Sequence, residues 1–133
     1  MRGPWLAAVI VALSASLAHA DDCAKATTQQ ALNACADTSA RAADAAMTTL
    51  YHRIQDRIGT RADAAVLLVK AQRRWIAFRD AECLFATEAA RNGSIQPMLR
   101  AGCAEALTRK RIADFKTYLN CPEGDLSCTL PAR

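Results

Sequence analysis

The chain has 133 residues, half of them hydrophobic, with six cysteines, few aromatic side chains and a formal net charge of +4. That length supports one domain and leaves no room for two. The charges are interspersed rather than gathered into a stripe and stacking residues are scarce, which argues against a nucleic-acid-binding surface.

The N-terminus carries Arg2, an apolar run from Trp5 to Leu17, and then Ala18-His19-Ala20. A basic start, a short apolar stretch and a small-x-small end predict a secretory signal peptide over residues 1–20, cleaved before Asp21. The run is too short to cross a bilayer and no second one follows, so no membrane span is expected after cleavage. A lipoprotein would need a cysteine directly after the small residues, but Asp21 and Asp22 precede Cys23. The expected location is therefore the periplasm or the exterior. Losing Arg2 lowers the net charge by one.

Residues 21–121 read as a helical domain and residues 122–133 as a short tail. Proline and glycine are nearly absent from residue 24 to residue 91, a composition that favours helix. A first helix is predicted from about Thr28 to Ile58, stopping at Gly59. Its apolar stripe is Leu32, Ala36, Ala43, Met47, Leu50, Ile54 and Ile58. A break is expected near Cys35–Ser39, where Asp37, Thr38 and Ser39 are poor helix formers. Thr60-x-x-Asp63 resembles a capping box for a second helix running to about Arg91. Ala64, Leu67, Leu68, Ala71, Trp75, Phe78 and Phe85 share its broad apolar face. Asn92-Gly93-Ser94 breaks the chain, and Pro97 suits the first turn of a third helix reaching about Leu119. Ala101, Ala104, Thr108, Ile112, Phe115 and Leu119 form its stripe. Short connections make consecutive helices antiparallel, so the predicted fold is all-α, a small bundle of three main helices stapled by disulfides.

All six cysteines survive cleavage, and an even count in a small exported chain favours disulfides. Fifteen connectivities are possible. An antiparallel hairpin brings Cys83 and Cys103 level, and closing that loop of about 20 residues stabilises by roughly 3 kcal/mol. Cys121 with Cys128 clips the tail, which leaves Cys23 with Cys35. In one continuous helix twelve residues span about 18 Å, too far for a disulfide. The last pair therefore requires the segment Ala24–Gln30 to fold back.

No catalytic, cofactor or metal site is expected. Beyond the signal peptide His52 is the sole histidine, and it falls opposite the apolar stripe with no orienting acid or oxyanion site in view. Asp21-Asp22 is a flexible pair, and no His/Cys/Asp spacing matches a metal cage. No Cys-x-x-Cys pair supports redox chemistry.

The richest segment is Gln72-Arg73-Arg74-Trp75-Ile76-Ala77-Phe78-Arg79-Asp80-Ala81-Glu82-Cys83, with Cys103 and Thr108-Arg109-Lys110-Arg111 beyond it. Gln72, Arg79 and Cys83 fall together on the flank of the Trp75/Phe78 face, and Glu82 lies nearly in line with Trp75. Polar residues so placed read as a structural network of Gln72, Trp75, Arg79, Asp80, Glu82, Thr108 and Arg111, in which Arg79 pairs with Glu82. A buried charge must be paired and hydrogen-bonded. The other reading puts Arg79, Asp80 or Arg111 at the surface, against a partner.

These residues resemble the LprI-type lysozyme-inhibitor family of exported bacterial proteins. The likeness rests on Asp44 to Tyr51, Gln72-Arg73-Arg74-Trp75, Arg79-Asp80-Ala81-Glu82-Cys83, Cys103, and Thr108 with Arg111, and covers most of Cys23–Leu119. Where the family usually has Leu-Asn before the tyrosine region, this chain has Met47-Thr48. The resemblance implies a helical, disulfide-bonded periplasmic domain with a lysozyme as protein partner. The candidate partner-binding protrusion is the loop bearing Arg91, Asn92, Ser94 and Gln96, with Arg100 beyond it. The competing reading is a non-catalytic envelope protein whose helix faces bind another exported protein. Neither reading sets the oligomeric state.

Overall fold

The computed structural model describes residues 22–122 and 124–130; the expected signal peptide lies outside them. Three long helices carry the chain: α1, Gln29–Ile58; α2, Ala62–Ala86; and α3, Gln96–Leu119, with a short 3₁₀ turn at Glu88–Ala90. The fold is all-α, as the periodicity indicated. No helix among the described residues is long and apolar enough to cross a membrane.

Helix α1 starts at Thr28, whose hydroxyl accepts from the Ala31 amide at 3.2 Å and so satisfies one orphan N–H of the first turn. The expected break near Cys35–Ser39 does not occur. Thr38 donates to the Ala34 carbonyl at 2.9 Å, and Arg41 reaches Asp37 at 2.7 Å, so the polar residues bond within the helix. Gly59 ends the helix with φ +58°, its N–H bonded to the Gln55 carbonyl, a backbone state suited to glycine.

The capping box at Thr60 and Asp63 does not form. The chain turns so tightly after Gly59 that Arg61, with its amide on the Ile58 carbonyl, becomes the N-cap and offers no side-chain cap. Asp63 still sits in the first turn, where its charge suits the helix dipole. At the other end α2 stops short of Arg91. Thr87 turns its hydroxyl onto the Cys83 carbonyl at 2.7 Å, and the chain tightens into the 3₁₀ turn.

Helices α1 and α3 run parallel and in register, meeting at Asn33 with Ser94, Asp44 with Thr108, and Tyr51 with Phe115. Ala40 and Ala43 of α1 and Ala101 and Ala104 of α3 are buried or half-buried, so their N-terminal halves approach through small side chains. Helix α2 runs antiparallel to both, placing Gln72 by Met47 and Arg79 by Asp44. The core lies toward the C-terminal ends of α1 and α3: Met47, Leu50, Ile54, Ile58 and Phe115, with Leu68, Trp75 and Ile112 packed against it. The tail contributes Leu130, which is buried in that cluster. Sequence reading treated the tail as a clipped loop and missed this anchor. A turn in which Ser127 N–H and Oγ–H both donate to Asp125 Oδ1 directs the chain inward.

Three disulfides close the fold: Cys23–Cys35, Cys83–Cys103 and Cys121–Cys128, each with Cα atoms 5.6 Å apart. The first is reached because the chain folds back at Lys25–Thr28, ahead of α1.

The apolar face expected of α2 is corrected. Leu67, Phe78 and Phe85 remain 66, 54 and 79 % exposed. The buried side of α2 is a neighbouring one, carrying Leu68, Gln72, Trp75, Arg79 and Cys83, all buried or half-buried. Helix α2 lies over the α1/α3 pair rather than beside it, so only one sector of it is covered.

Candidate functional site

The polar residues of α2 bind it to both other helices. Arg79 Nη1 donates to Asp44 Oδ1 of α1 at 2.7 Å and to Thr108 Oγ1 of α3 at 3.2 Å. The Thr108 hydroxyl in turn donates a hydrogen bond to the same Asp44 oxygen at 3.3 Å. Arg79 Nε also reaches Asp80 Oδ1 at 3.0 Å. The expected Arg79–Glu82 pair is absent; Glu82 is exposed and Asp44 takes its place. Glu82 lies about 60° from Arg79 around the helix, toward the uncovered sector, whereas Asp44 faces Arg79 from the next helix.

A second layer follows one turn or two away. Gln72 donates to Met47 Sδ at 3.4 Å and accepts from Arg111 Nε at 3.2 Å. Two guanidinium groups lie over the Trp75 ring, Arg79 at 5.5 Å and Arg111 at 5.8 Å from its centroid, and Arg111 also covers Phe115 at 4.6 Å. These stacked cations strengthen the layer. Arg111 is thus internal, while Arg109 is exposed and pairs with Glu105 at 2.6 Å. The Arg109 hydrogen bond, with a second from Ser39, holds the Glu105 carboxyl below the usual carboxylate range. That tie stabilises the fold above the ordinary carboxylate pKa and is lost as pH falls through the depressed value. Among the described residues no buried side-chain nitrogen or oxygen lacks a hydrogen-bond partner. The network is a three-helix latch.

Its two halves differ in exposure, and this predicts an asymmetry. The Arg79 side chain is 12 % exposed, that of Asp44 48 %. Asp44→Ala strands a mostly buried cation, with Asp80 as its remaining anion, at an expected cost of about 2 kcal/mol. Arg79→Met leaves a carboxylate that water can reach and should cost only about half as much. Urea midpoints of the two variants check this; the opposite order would make the guanidinium itself the stabilising element.

The expected protrusion between α2 and α3 is exposed from Arg91 to Ile95. Asn92 adopts φ +67°, a left-handed state that asparagine tolerates. Gly93 N–H bonds the Ala90 carbonyl at 2.9 Å, and Gln96 N–H the Gly93 carbonyl at 3.1 Å. From α1, Asn33 Nδ2 donates to the Ser94 carbonyl at 2.9 Å. The Cys83–Cys103 bridge fastens the helices on either side. Gln96 and Arg100 leave the tip and line a groove of about 370 Å³ with Asp37, Arg41, Asp44 and Asp80. The loop and the latch therefore share one end of the bundle. Two contributors went unassigned in sequence: Asp44, whose partners sit on other helices, and Asn33, one polar residue among many on α1.

His52 is exposed and bonded to Gln55 at 2.9 Å. Among the described residues the only group of metal-ligating types close enough to share an ion is Cys121, Asp125 and Cys128. Both sulfurs are locked in a disulfide there and offer no thiolate.

No solved structure matches the chain. A Rhizobium meliloti (strain 1021) protein, described as uncharacterized protein R02472, is 42 % identical over 113 residues, covering 77 % of this chain and 81 % of its own length. The family model for the lysozyme inhibitor LprI matches residues 20–115, which spans α1, α2 and most of α3 with the latch and the loop between them. The chain belongs to the LprI lysozyme inhibitor family.

Proposed function

We propose that the chain is an exported, non-catalytic inhibitor that binds a muramidase and blocks its cleft with the loop at residues 91–96. The observation that carries this reading is a polar loop that is exposed yet held fast. The Asn33 bond, the left-handed Asn92 and the disulfide between its flanking helices constrain it before any partner arrives. Preorganisation spares the ordering cost of binding. A muramidase cleft holds two catalytic carboxylates, and Arg91, Asn92, Ser94, Gln96 and Arg100 supply cations, amides and a hydroxyl to meet them. Arg91 is tied to Glu88 at 3.0 Å in an exposed pair that is easily exchanged. Arg100 has no partner among the described residues. The positive net charge gives no long-range attraction to a basic lysozyme, so the target class is an acidic or neutral muramidase.

The test is a cell-wall lysis assay. The protein is exported from a bacterial host with its disulfides oxidised, and intact mass should show a chain beginning at Asp21. It is titrated against animal-type, goose-type and bacterial muramidases at low and moderate salt. Saturable inhibition of one class is expected, weakened about tenfold or more by Arg91→Glu with Arg100→Glu. A folded, oxidised protein that inhibits none of them would remove the reading. The second reading, a helix-face interaction protein, draws on a different observation: the row of exposed hydrophobic residues on α2.

A further inference from the structure

The exposed half of α2 is both apolar and cationic. Val66, Leu67, Ile76, Phe78, Leu84 and Phe85 are exposed large hydrophobics, and all six lie on this one helix. At about 100° per residue Val66, Lys70, Arg73, Ala77 and Leu84 fall on one line, and Leu67, Arg74, Phe78 and Phe85 on the next. Lys70, Arg73 and Arg74 are exposed, and none has an ion-pair or hydrogen-bond partner among the described residues. Of the acidic residues of α2, Asp63 falls between the two lines but in the first turn, at one end and away from the cations, Asp80 is engaged with Arg79, and Glu82 is exposed on the flank beyond Phe78.

Charge decides between occupants. The three cations sit at the middle of Ala62–Ala86. A second copy pairing face to face about the helix midpoint would bring six like charges together near the two-fold axis. A protein groove would have to supply a well-placed carboxylate for each of the three cations as it desolvates them. An anionic bilayer surface meets both demands: phosphate groups receive Lys70, Arg73 and Arg74, while Phe78, Phe85, Leu67 and Val66 enter the headgroup boundary. The opposite side of α2 carries the bundle, so among the described residues nothing stands between this half and a flat surface.

We infer that the outer half of α2 is an interfacial membrane-docking surface that binds anionic phospholipid, with α2 lying in the plane of the bilayer. This is independent of the inhibitor reading, which rests on the loop.

The experiment is sedimentation of the exported, oxidised protein with vesicles of equal parts phosphatidylglycerol and phosphatidylcholine, against vesicles of phosphatidylcholine alone. Binding to the anionic vesicles only is expected, stronger at low salt. The triple variant Lys70→Gln/Arg73→Gln/Arg74→Gln should weaken it about a hundredfold, at about fivefold per cation. Phe78→Ser/Phe85→Ser should weaken it and leave the salt dependence in place. All five side chains are exposed, so circular dichroism and melting temperature should match the parent protein, which separates lost docking from lost folding. No sedimentation with anionic vesicles, equal binding to both vesicle types, or binding indifferent to the triple variant would each overturn the assignment. So would a dimer in sedimentation equilibrium that Phe78→Ser/Phe85→Ser dissolves, because the face would then belong to a second copy.

Discussion

Phe115→Ala should lower stability by about 3–5 kcal/mol, the usual cost of truncating a buried phenylalanine. Phe115 is 0 % exposed and packs in the cluster with Met47, Leu50, Ile54 and Leu130. Its ring also lies 6.3 Å from Tyr51 and 6.2 Å from Tyr118, and beneath the Arg111 guanidinium. Removing it opens a cavity where α1, α3 and the tail meet, and takes away one of the two rings that Arg111 covers. For a domain of this size the loss corresponds to a fall of about 15–25 °C in melting temperature. Phe85→Ala is the control. Phe85 is mostly exposed, so its removal should change stability by no more than about 0.5 kcal/mol. Thermal melts of the two variants decide the matter, and a comparable fall for both would mean that Phe85 is covered in solution.

Both phenylalanines belong to apolar faces in a periodicity analysis, and the contrast shows where such reasoning stops. A helical wheel gives the angle of each residue but not which sector a neighbour covers. On α1 the two coincide, because the stripe from Ala43 to Ile58 is met by α3 and the tail and is buried. On α2 the apolar residues spread around most of the circumference, and the covered sector mixes Leu68, Trp75 and Cys83 with Gln72 and Arg79. Punctuation was legible where the backbone dictated it, as at Gly59 and Pro97. Capping at Thr60 was not, because the depth of the turn after Gly59 decides which residue becomes the N-cap. The latch was legible in part of its membership, with Glu82 standing outside it, and not in its wiring. Gln72, Trp75, Arg79, Thr108 and Arg111 stand together, but the anion came from Asp44, 35 residues from Arg79. Spacing along one helix finds i,i+3 partners such as Glu82; it is blind to a carboxylate on another. Leu130 was hidden for a similar reason, since a single leucine in a proline-bearing tail has no period.

Cysteine pairing yielded more, because topology constrains it, and it leads to a ranking. Replacing Cys83 and Cys103 together by serine should cost roughly 3 kcal/mol, the largest loss among the three bridges. In the chain-entropy model the stabilisation grows with the logarithm of the closed loop, and the separations are 20, 12 and 7 residues. Length alone separates the bridges by only about 1 kcal/mol between extremes, so what each bridge ties down matters as much. Cys23–Cys35 fastens a turn that contributes no side chain to the buried cluster. When that turn frays, the core survives, and the bridge does little for global unfolding. Cys121–Cys128 closes the shortest loop, but it holds the segment that delivers Leu130, and its removal also loosens that anchor. Cys83–Cys103 joins two long helices at the buried edge of the latch and frames the 91–96 loop. Its loss acts on stability and on the constraint of that loop at once. Melting temperatures of the three double-serine variants should therefore fall most for Cys83/Cys103, next for Cys121/Cys128 and least for Cys23/Cys35. The Cys83/Cys103 variant should keep its helical circular dichroism, because α1 and α3 pack without the bridge, and under the proposed inhibitor function it should inhibit a muramidase more weakly than either of the others. A largest fall for Cys23/Cys35 would show that the N-terminal turn belongs to the cooperative core, and the placement of the folding unit would have to move with it.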